Sequence, residues 1–400
     1  MRHTAEAVVV GGGIVGASIA FHLTRLGLRD VLLLERGRLA GQATGQSGAL
    51  VRTHYTNAPE ARMALAALPW FEQWPELVGG SCGFVPTGFL QIVGPIDSAA
   101  LERNTAMLHD QVGIDTRLVN AYEAAQLQPG LAVGDGERIA YEPRSGYANP
   151  VAATLTLVEA AQRRGAEICE GIAVTGLRVN NGRITGVDTA SGSVEAPIVV
   201  LANGGWAIPL VAPLGLELPI RPVLSQIAIL HRAPELPEGI AGHLTIIDRA
   251  RGYYARPHEV DLTLVGLSGF SHNLTTFDDG LHSYDLEVPG RARSGIAGRI
   301  AGFAKARFAY GRSGPLDVTP DRGAIIGRGP ADGLFLAVGM SGSGFKKAPA
   351  IGACIAELIL NGAATTAPIE PFRPQRFAEE DLILGDDYAP LAGLTGVSPH

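Results

Sequence analysis

The sequence is poor in lysine, and this shortage limits the partners that the protein can have. Only Lys305, Lys346 and Lys347 occur among 32 basic residues, and the formal net charge is -7. The arginines are scattered along the chain, so no concentrated positive field is available to attract nucleic acid or anionic lipid. We therefore predict no nucleic-acid partner, and a lysine that falls within a motif is informative.

Cysteine and long apolar runs are scarce as well. Cys82, Cys169 and Cys354 lie far apart and lack the spacing of a metal site or a disulfide framework, and the histidines show no metal-ligand spacing either. We predict no metal and a reducing, cytoplasmic environment, because the first residues also lack a secretory signal pattern. The apolar run 8–23 is broken by glycines and polar residues, so we predict no membrane span.

The abundant features are apolar residues and glycine, in a chain long enough for two domains. Its 400 residues exceed the roughly 250–300 at which one core stops growing, and 46% of them are apolar. Residues 6–10 and 31–35 are predicted to be buried parallel strands around a helix at 14–26. Residues 172–202 are predicted to form antiparallel strands with turns at 181–182 and 191–192, ending in a fully apolar strand (IVVLAN) that belongs to the parallel core. A second antiparallel sheet is predicted over 223–267, a helix-rich stretch at 290–308, and strands at 323–327 and 333–339 followed by a helix.

A dinucleotide-binding fingerprint opens the chain. Gly11, Gly13 and Gly16 have GxGxxG spacing between the first strand and the first helix, and Glu35 lies nineteen residues beyond Gly16. Pyrophosphate is expected at the helix N-terminus, and Glu35 is expected to accept hydrogen bonds from ribose hydroxyls. The fingerprint alone leaves FAD and NAD open. Because no second such motif occurs, we expect the substrate itself to supply the reducing equivalents.

Four further segments carry a family resemblance: TGQSGALVR (44–52), LDVTPDRGAIIG (316–327), VGMSGSGFKKAPAIG (338–352) and FRPQRF (372–377). They resemble the D-amino acid oxidase superfamily of flavoproteins, and within it the branch of sarcosine oxidase, dimethylglycine dehydrogenase and glycine oxidase. The resemblance extends over roughly residues 5–380. It implies FAD as cofactor, a small amine or amino acid as substrate, and hydride transfer from the α C–H to flavin N5, giving an imine that hydrolyses.

The resemblance also implies a mixed α/β (α+β) fold of two domains. One is an FAD-binding Rossmann-like domain of the glutathione reductase type, predicted at 1–80, 146–221 and 318–385. The other is a substrate domain with an antiparallel sheet, predicted at 81–145 and 222–317, and residues 386–400 are predicted to form a loose tail. We expect the cofactor to contact Gly11, Gly13, Ile14, Val15, Gly16, Glu35, Arg36, Thr44, Gly45, Gln46, Ser47, Gly48, Val174, Ala202, Gly204, Trp206, Gly339, Gly342, Ser343, Gly344, Phe345 and Lys346.

Three residues are predicted to act on the substrate. In relatives, the residues that match Arg52 and Lys346 contact the substrate carboxylate or the flavin, and a guanidinium with an ammonium group suits a carboxylate. Tyr254 lies on a predicted strand where alternation sends it to the same face as Arg256 and His258 and sends Tyr253 to the other. The sequence leaves open which face is inward, and it leaves surface and site roles equally open for His54 and Tyr55.

Departures from the family refine these expectations. No cysteine stands near Gly314, and 42–48 contains no histidine, so FAD is expected to be noncovalent. Asn149 stands near the histidine that carries FMN in heterotetrameric sarcosine oxidase, and no lysine precedes Lys305 to match the oxygen-activating lysine of monomeric sarcosine oxidases. The electron acceptor is therefore O2 or an electron-transfer partner, and the chain is either an enzyme on its own or the flavin-bearing subunit of a hetero-oligomer; homo-oligomers are equally open. A nicotinamide-dependent monooxygenase is disfavoured, because no GDAAH-like segment follows the late strands.

Overall fold

The computed structural model describes residues 2–236, 239, 242–268, 272–281 and 284–389. The helices of this part of the chain are α1 (Ile14–Arg25), α2 (Ala58–Glu72), α3 (Trp74–Leu77), α4 (Ser98–Met107), α5 (Ala121–Leu127), α6 (Pro150–Gln162), α7 (Ile208–Val211), α8 (Val288–Ala297) and α9 (Gly344–Asn361). Its strands are β1 (Ala7–Val10), β2 (Val31–Leu34), β3 (Leu50–Val51), β4 (Phe89–Val93), β5 (Arg117–Val119), β6 (Arg138–Glu142), β7 (Gly146–Tyr147), β8 (Glu167–Cys169), β9 (Val174–Asn180), β10 (Arg183–Thr189), β11 (Gly192–Glu195), β12 (Ile198–Leu201), β13 (Arg221–His231), β14 (Thr245–Asp248), β15 (Tyr253–His258), β16 (Leu262–Leu267), β17 (His272–Asn273), β18 (Arg307–Val318), β19 (Ile325–Arg328) and β20 (Leu334–Val338).

A six-stranded sheet forms the centre of the fold. Its order is β19, β20, β12, β1, β2, β8, and every neighbouring pair is parallel except β19 with β20. The sequence AVVV of β1 is fully buried, because Ala7 and Val9 pack into one apolar cluster with α1 and α9 while Val8 and Val10 pack into a second cluster on the other face. The predicted opening βαβ unit and the closing pattern of strands, glycine turn and helix are both confirmed.

Helix α1 lies close to α9, and small residues permit this approach. A side chain on Gly352 of α9 would overlap Ser18 of α1. The first and last helices of the described chain therefore pack on the same side of the central sheet and support its strand ends.

The three strands β9, β10 and β11 form a separate antiparallel sheet that turns at the two predicted glycine turns.

A nine-stranded sheet is the second large sheet of the fold. Its order is β17, β13, β16, β15, β14, β4, β6, β5, with β18 also paired to β13, and its strand pairs are antiparallel except β14 with β4. Alternation along β15 resolves the question of faces: Tyr253 packs in the cluster that contains α8, and Tyr254 packs on the opposite face with Ile247 and Leu264. Tyr254, Arg256 and His258 thus share the face that turns away from α8.

The predicted helix-rich stretch at 290–308 is confirmed up to residue 305 and is wrong only at 307–308, where strand β18 begins. Helix α8 ends at Ala297, residues 301–305 form a short 3-10 helix, and Arg307–Val318 is a long strand. Its pairing with β13 runs along almost the full length of both strands. Gly311, Gly314 and Pro315 interrupt its apolar pattern, so the strand depends on its partner more than on local propensity.

The predicted tail, residues 386–400, lies only partly within the described chain. Residues 390–400 lie outside the described residues. Before that point, the backbone N–H of Asp386 donates to the carbonyl of Thr56 at 3.0 Å, and His54 and Tyr388 are hydrogen bonded at 2.6 Å.

Among the described residues, no helix is both long and apolar enough to cross a membrane.

The histidine in the middle of α1 makes stability dependent on pH. His22 is 1% exposed and packs edge-on against Trp70 with ring centroids 4.7 Å apart, and burial, followed by repulsion from Arg25, lowers its pKa to about 3. Below pH 6.5 the imidazole of His22 is protonated in the unfolded chain but stays neutral in the folded chain. As the pH decreases, the contribution of His22 to the free energy of unfolding therefore decreases by about 1.4 kcal/mol per pH unit, down to about pH 3.

We expect His22→Leu to reduce the loss of stability between pH 8 and pH 5 by about 2 kcal/mol, because one such proton is no longer taken up on unfolding. Denaturant unfolding at the two pH values measures this difference. His3→Leu, at an exposed histidine, is the matched control and should leave the difference unchanged. An equal pH dependence in wild type and His22→Leu would contradict the assignment.

Candidate active site

A cleft of about 510 Å³ lies where the two large sheets meet. One wall is formed by residues that follow the carboxyl ends of β1, β2, β12 and β20, which is where open parallel sheets bind ligands. The other wall comes from β13, β14, β15 and β18 of the second sheet, and the loop 41–52 lies between them. The cleft therefore combines the fingerprint segment with the face that carries Tyr254.

The fingerprint glycines have distinct steric roles at one end of the cleft. Gly11 has φ of 111°, and a Cβ atom there would lie 2.6 Å from the carbonyl oxygen of Ala202; a Cβ atom on Gly16 would overlap the carbonyl oxygen of Gly11. Helix α1 begins at Ile14, whose backbone N–H donates to Thr44 Oγ1 at 3.1 Å, and its first turn contains no acidic residue. Gly13, Ile14 and Val15 line the cleft, so the positive end of the helix dipole suits an anion there.

The acidic residue of the fingerprint is held rigidly. Glu35 accepts hydrogen bonds from the backbone N–H of Gly12 at 2.6 Å and from that of Gly37 at 2.7 Å, and it lines the cleft. The guanidinium of Arg36 lies 4.3 Å from the ring centroid of Trp206 and pairs with Asp278 at 2.8 Å. These contacts fix the cleft end expected to receive the adenosine half of a dinucleotide.

The residues of the cleft fit an FAD molecule. Two buried acceptors that line it, Gln42 Oε1 and Asn203 Oδ1, have no hydrogen-bond partner among the described residues. A buried polar atom without a partner is costly, so both oxygens are suited to ligand donors such as ribityl or ribose hydroxyls. Together with the N-terminus of α1 and Glu35, they match the polar groups that such a cofactor presents.

Tyr254 is clamped at the other end of the cleft. A Cβ atom on Gly48 would lie 2.6 Å from its Cε2 atom, and one on Gly266 of β16 would overlap the ring. Arg256, two residues further along the same face, donates from Nε to the carbonyl of Gly48 at 2.5 Å. Burial raises the pKa of Tyr254 to about 12, so its phenol is protonated at neutral pH. Tyr254 therefore offers a neutral hydroxyl in a fixed position.

Three basic side chains lie around the ring of Tyr55. Arg52 lies 4.6 Å from the Tyr55 ring centroid, and the ammonium groups of Lys346 and Lys347 lie 5.9 and 5.4 Å from it. Lys347 is committed to a buried ion pair with Glu60, whereas no carboxylate of the described chain pairs with Lys346. Burial, and to a lesser extent repulsion from Arg52, holds the pKa of Lys346 well below its usual range. An anionic ligand group would relieve this repulsion.

Most predicted site residues lie in the cleft. The predicted residues that line it are Arg52, Tyr254, Lys346, Gly11, Gly13, Ile14, Val15, Glu35, Arg36, Thr44, Gln46, Ser47, Gly48, Val174, Ala202, Gly204, Trp206, Gly342, Gly344 and Phe345. Gly16, Gly45, Ser343 and Gly339 do not line it: Gly16 packs against Gly11, Gly45 accepts a hydrogen bond from Arg312, and Ser343 lines a neighbouring cavity. His54 and Tyr55, undecided from sequence, point inward beside Arg52.

Sequence reasoning missed several lining residues: Arg38, Gln42, Ser225, Ile247, Phe277, Asp317 and Met340. Asp317 is the most unusual, because burial raises its pKa to about 6, although nearby backbone N–H groups at 339–341 lower it in part. It lies in the segment 316–327 that carried the family resemblance, so that segment was the available signal. Ser225 and Ile247 lie on strands β13 and β14, whose facing could not be predicted, and Arg38, Gln42, Phe277 and Met340 lie in loops.

Comparisons with known proteins agree with this geometry. The family model DAO, FAD dependent oxidoreductase, matches residues 6–358. The chain is 27% identical to mitochondrial sarcosine dehydrogenase of Homo sapiens over 370 residues, which are 90% of this chain but 40% of that protein. It is 24% identical to sarcosine oxidase subunit beta of Rhodobacter capsulatus over 95% of this chain and 91% of that one. The solved structure of L-proline dehydrogenase from P. horikoshii has a TM-score of 0.86 and 26% identity, over 96% of this chain and 100% of that one.

Proposed function

Because the chain belongs to the DAO family of FAD-dependent oxidoreductases, we propose that it oxidises a small amine or amino acid at the carbon next to nitrogen. The substrate class follows relatives named for sarcosine and L-proline. One observation carries the proposal: two buried basic side chains, Arg52 and Lys346, lie in the same cleft as the dinucleotide fingerprint. When bound, FAD supplies the acceptor, at N5, for the hydride that leaves the α carbon.

The residues of the chain orient the substrate in this proposal. Arg52 and Lys346 bind its carboxylate, and Tyr254 donates a hydrogen bond from its hydroxyl within the same cleft. The sheet face around Ile247 and Tyr254 excludes water from the reacting carbon. Hydride loss from the neutral amine leaves an iminium ion, the protonated imine, which hydrolyses after release. No residue is required to act as a base, since the amine reacts in its neutral form.

FAD is proposed to bind noncovalently, held by the backbone at 13–15, by Glu35 and by Gly342 and Gly344. Residues 1–80, 146–221 and 318–385 are proposed as the FAD-binding domain and residues 81–145 and 222–317 as the substrate domain. The central sheet supports this division, because its strands come only from 7–34, 167–201 and 325–338.

A second candidate is the flavin-bearing subunit of a hetero-oligomeric amine dehydrogenase that passes electrons to a partner. The relative named sarcosine oxidase subunit beta, of which this chain spans 91%, favours it. The absence of any lysine before Lys305 favours it too, since the oxygen-activating lysine of monomeric sarcosine oxidases has no counterpart. O2 and a partner protein thus stand as alternative acceptors.

Anaerobic titration of the purified holoprotein tests the proposal. Sarcosine, proline, glycine and D-alanine are added in turn, and we expect at least one amine to bleach the visible flavin absorbance. Air is then admitted. Rapid reoxidation with peroxide formation indicates an oxidase, and slow reoxidation indicates electron transfer to a partner. Failure of a broad panel of amines to bleach the flavin would overturn the function.

A further inference from the structure

A second cavity, of about 90 Å³, adjoins the cleft on the side away from the fingerprint. Arg52 and Ile247 line both cavities, so these two side chains form the partition between them. The cavity continues to Arg249, which follows β14, and to Arg322, which precedes β19. A substrate held at Arg52 could therefore extend a side chain past Ile247 into this space.

The charges of the second cavity favour an anion. Three arginines line it, and of its three carboxylates, Asp321 is paired with Arg376 and Glu60 with Lys347. The third, Asp387, is exposed and accepts a hydrogen bond from Thr56. Two of the three acidic groups are thus already neutralised by cations outside the three arginines. The remaining balance is positive in a partly desolvated space, where an opposite charge is strongly attracted.

Two side-chain donor groups that line the cavity have no hydrogen-bond acceptor among the described residues. The guanidinium of Arg322 makes no hydrogen bond or ion pair within the described part of the chain, although its residue is half-buried. The amide Nε2 of Gln91 is buried and has no hydrogen-bond partner among the described residues, and Gln91 is 3% exposed. A planar guanidinium and an amide N–H that line the same cavity are donors suited to a carboxylate.

The last described segment of the chain covers this space. Ile383, Asp387 and Tyr388 line it, and Arg249 donates to the carbonyl oxygens of Tyr388 at 3.4 Å and Ala389 at 3.1 Å. His54 meets the Tyr388 hydroxyl at 2.6 Å from the opposite side. The segment thereby limits the length of any group that enters and keeps Arg249 at the far end.

We propose that the second cavity binds a second carboxylate of the substrate, held by Arg322 and Arg249 with the Gln91 amide, while the α-carboxylate lies at Arg52 and Lys346. This proposal rests on the proposed function and specifies its substrate class as an amino acid or N-alkylamine that carries a second acidic group. The same residues would discriminate against substrates with apolar side chains, because these would leave buried donors unpaired.

Calorimetric titration of the FAD-loaded protein with ligands that cannot be oxidised tests this inference. Succinate, glutarate and adipate are each compared with the monocarboxylate of equal chain length: butyrate, pentanoate and hexanoate. We expect at least one diacid to bind at least about tenfold more tightly than its monoacid, and Arg322→Gln and Arg249→Gln to reduce this preference below about threefold. Arg293→Gln, an exposed arginine on α8, is the matched control and should retain it.

The outcomes separate this inference from the proposed function. Equal affinities for diacids and monoacids in the wild-type protein would overturn it without any variant, and an undiminished preference in Arg322→Gln would overturn the assigned residues. FAD content and Tm identify a variant that has not folded, and the wild-type comparison then decides alone. Because none of these ligands contains an amine, a diacid preference can be present even if every amine fails to bleach the flavin.

Discussion

Lys346→Met is expected to lower the rate constant for flavin reduction over KM about 10- to 100-fold, because a charge-assisted hydrogen bond to the substrate carboxylate contributes about 1.5–3 kcal/mol. Methionine preserves the length and apolar contacts of the lysine stem. Lys346 is 5% exposed and lies in the first turn of α9 beside Arg52. Stopped-flow reduction with the best amine of the panel, under anaerobic conditions, measures the effect.

A pH profile distinguishes this role from a structural one. Burial and the neighbouring Arg52 lower the pKa of Lys346, so its cationic form is lost as pH rises through that depressed value. Titration of the substrate amine changes KM equally in all variants, so the ratio of KM for Lys346→Met to KM for wild type isolates Lys346 and should fall towards one as pH rises. Lys305→Met, which replaces an exposed lysine, is the control and should behave as wild type. A ratio that stays constant with pH would contradict the assignment.

Gly16→Ala is expected to abolish FAD retention. The added Cβ atom would overlap the carbonyl oxygen of Gly11, and a backbone atom cannot yield as the end of a flexible side chain can. Either α1 moves away from β1 or the Gly11 turn shifts, and both changes displace the N–H groups that face the cleft. The purified variant should be colourless, with a flavin-to-protein ratio below about a tenth of the wild-type ratio by absorbance after repurification.

Gly290→Ala provides the matched control, because Gly290 also lies in a helix and a Cβ atom there would meet no atom within 4 Å. This variant should retain FAD and be unchanged or slightly more stable, since alanine favours the helix by up to about 1 kcal/mol over glycine. If Gly16→Ala retained full FAD occupancy, the close approach of helix and strand would not be needed for cofactor binding.

Local features of the fold were predictable from sequence, and those that depend on strand pairing were not. Gly11, Gly16 and Glu35 could be recognised because a strand, a turn and a helix place them within a single short unit. The inward face of Tyr254 could not, since alternation gives two faces and only packing against α8 selects one. Strand β18 was missed for a related reason: its stability comes from β13, more than seventy residues earlier.

The same distinction applies to the site. Arg52 and Lys346 stood in segments with a recognisable resemblance, so their proximity could be expected. Arg322 also lay in such a segment, but its meeting with Arg249 and Gln91 depends on three different parts of the chain. Charge balance around a cavity is a property of the assembled structure. No single segment contains it.

The order in which the central sheet is completed has a consequence for biosynthesis. Strand β1 and helix α1 are translated long before α9, which supplies Lys346 and packs against α1. A nascent chain that has reached only the middle of this sequence therefore exposes an apolar β1–α1 unit and lacks the part of the crevice that α9 supplies. We expect FAD to bind only after α9 has been translated.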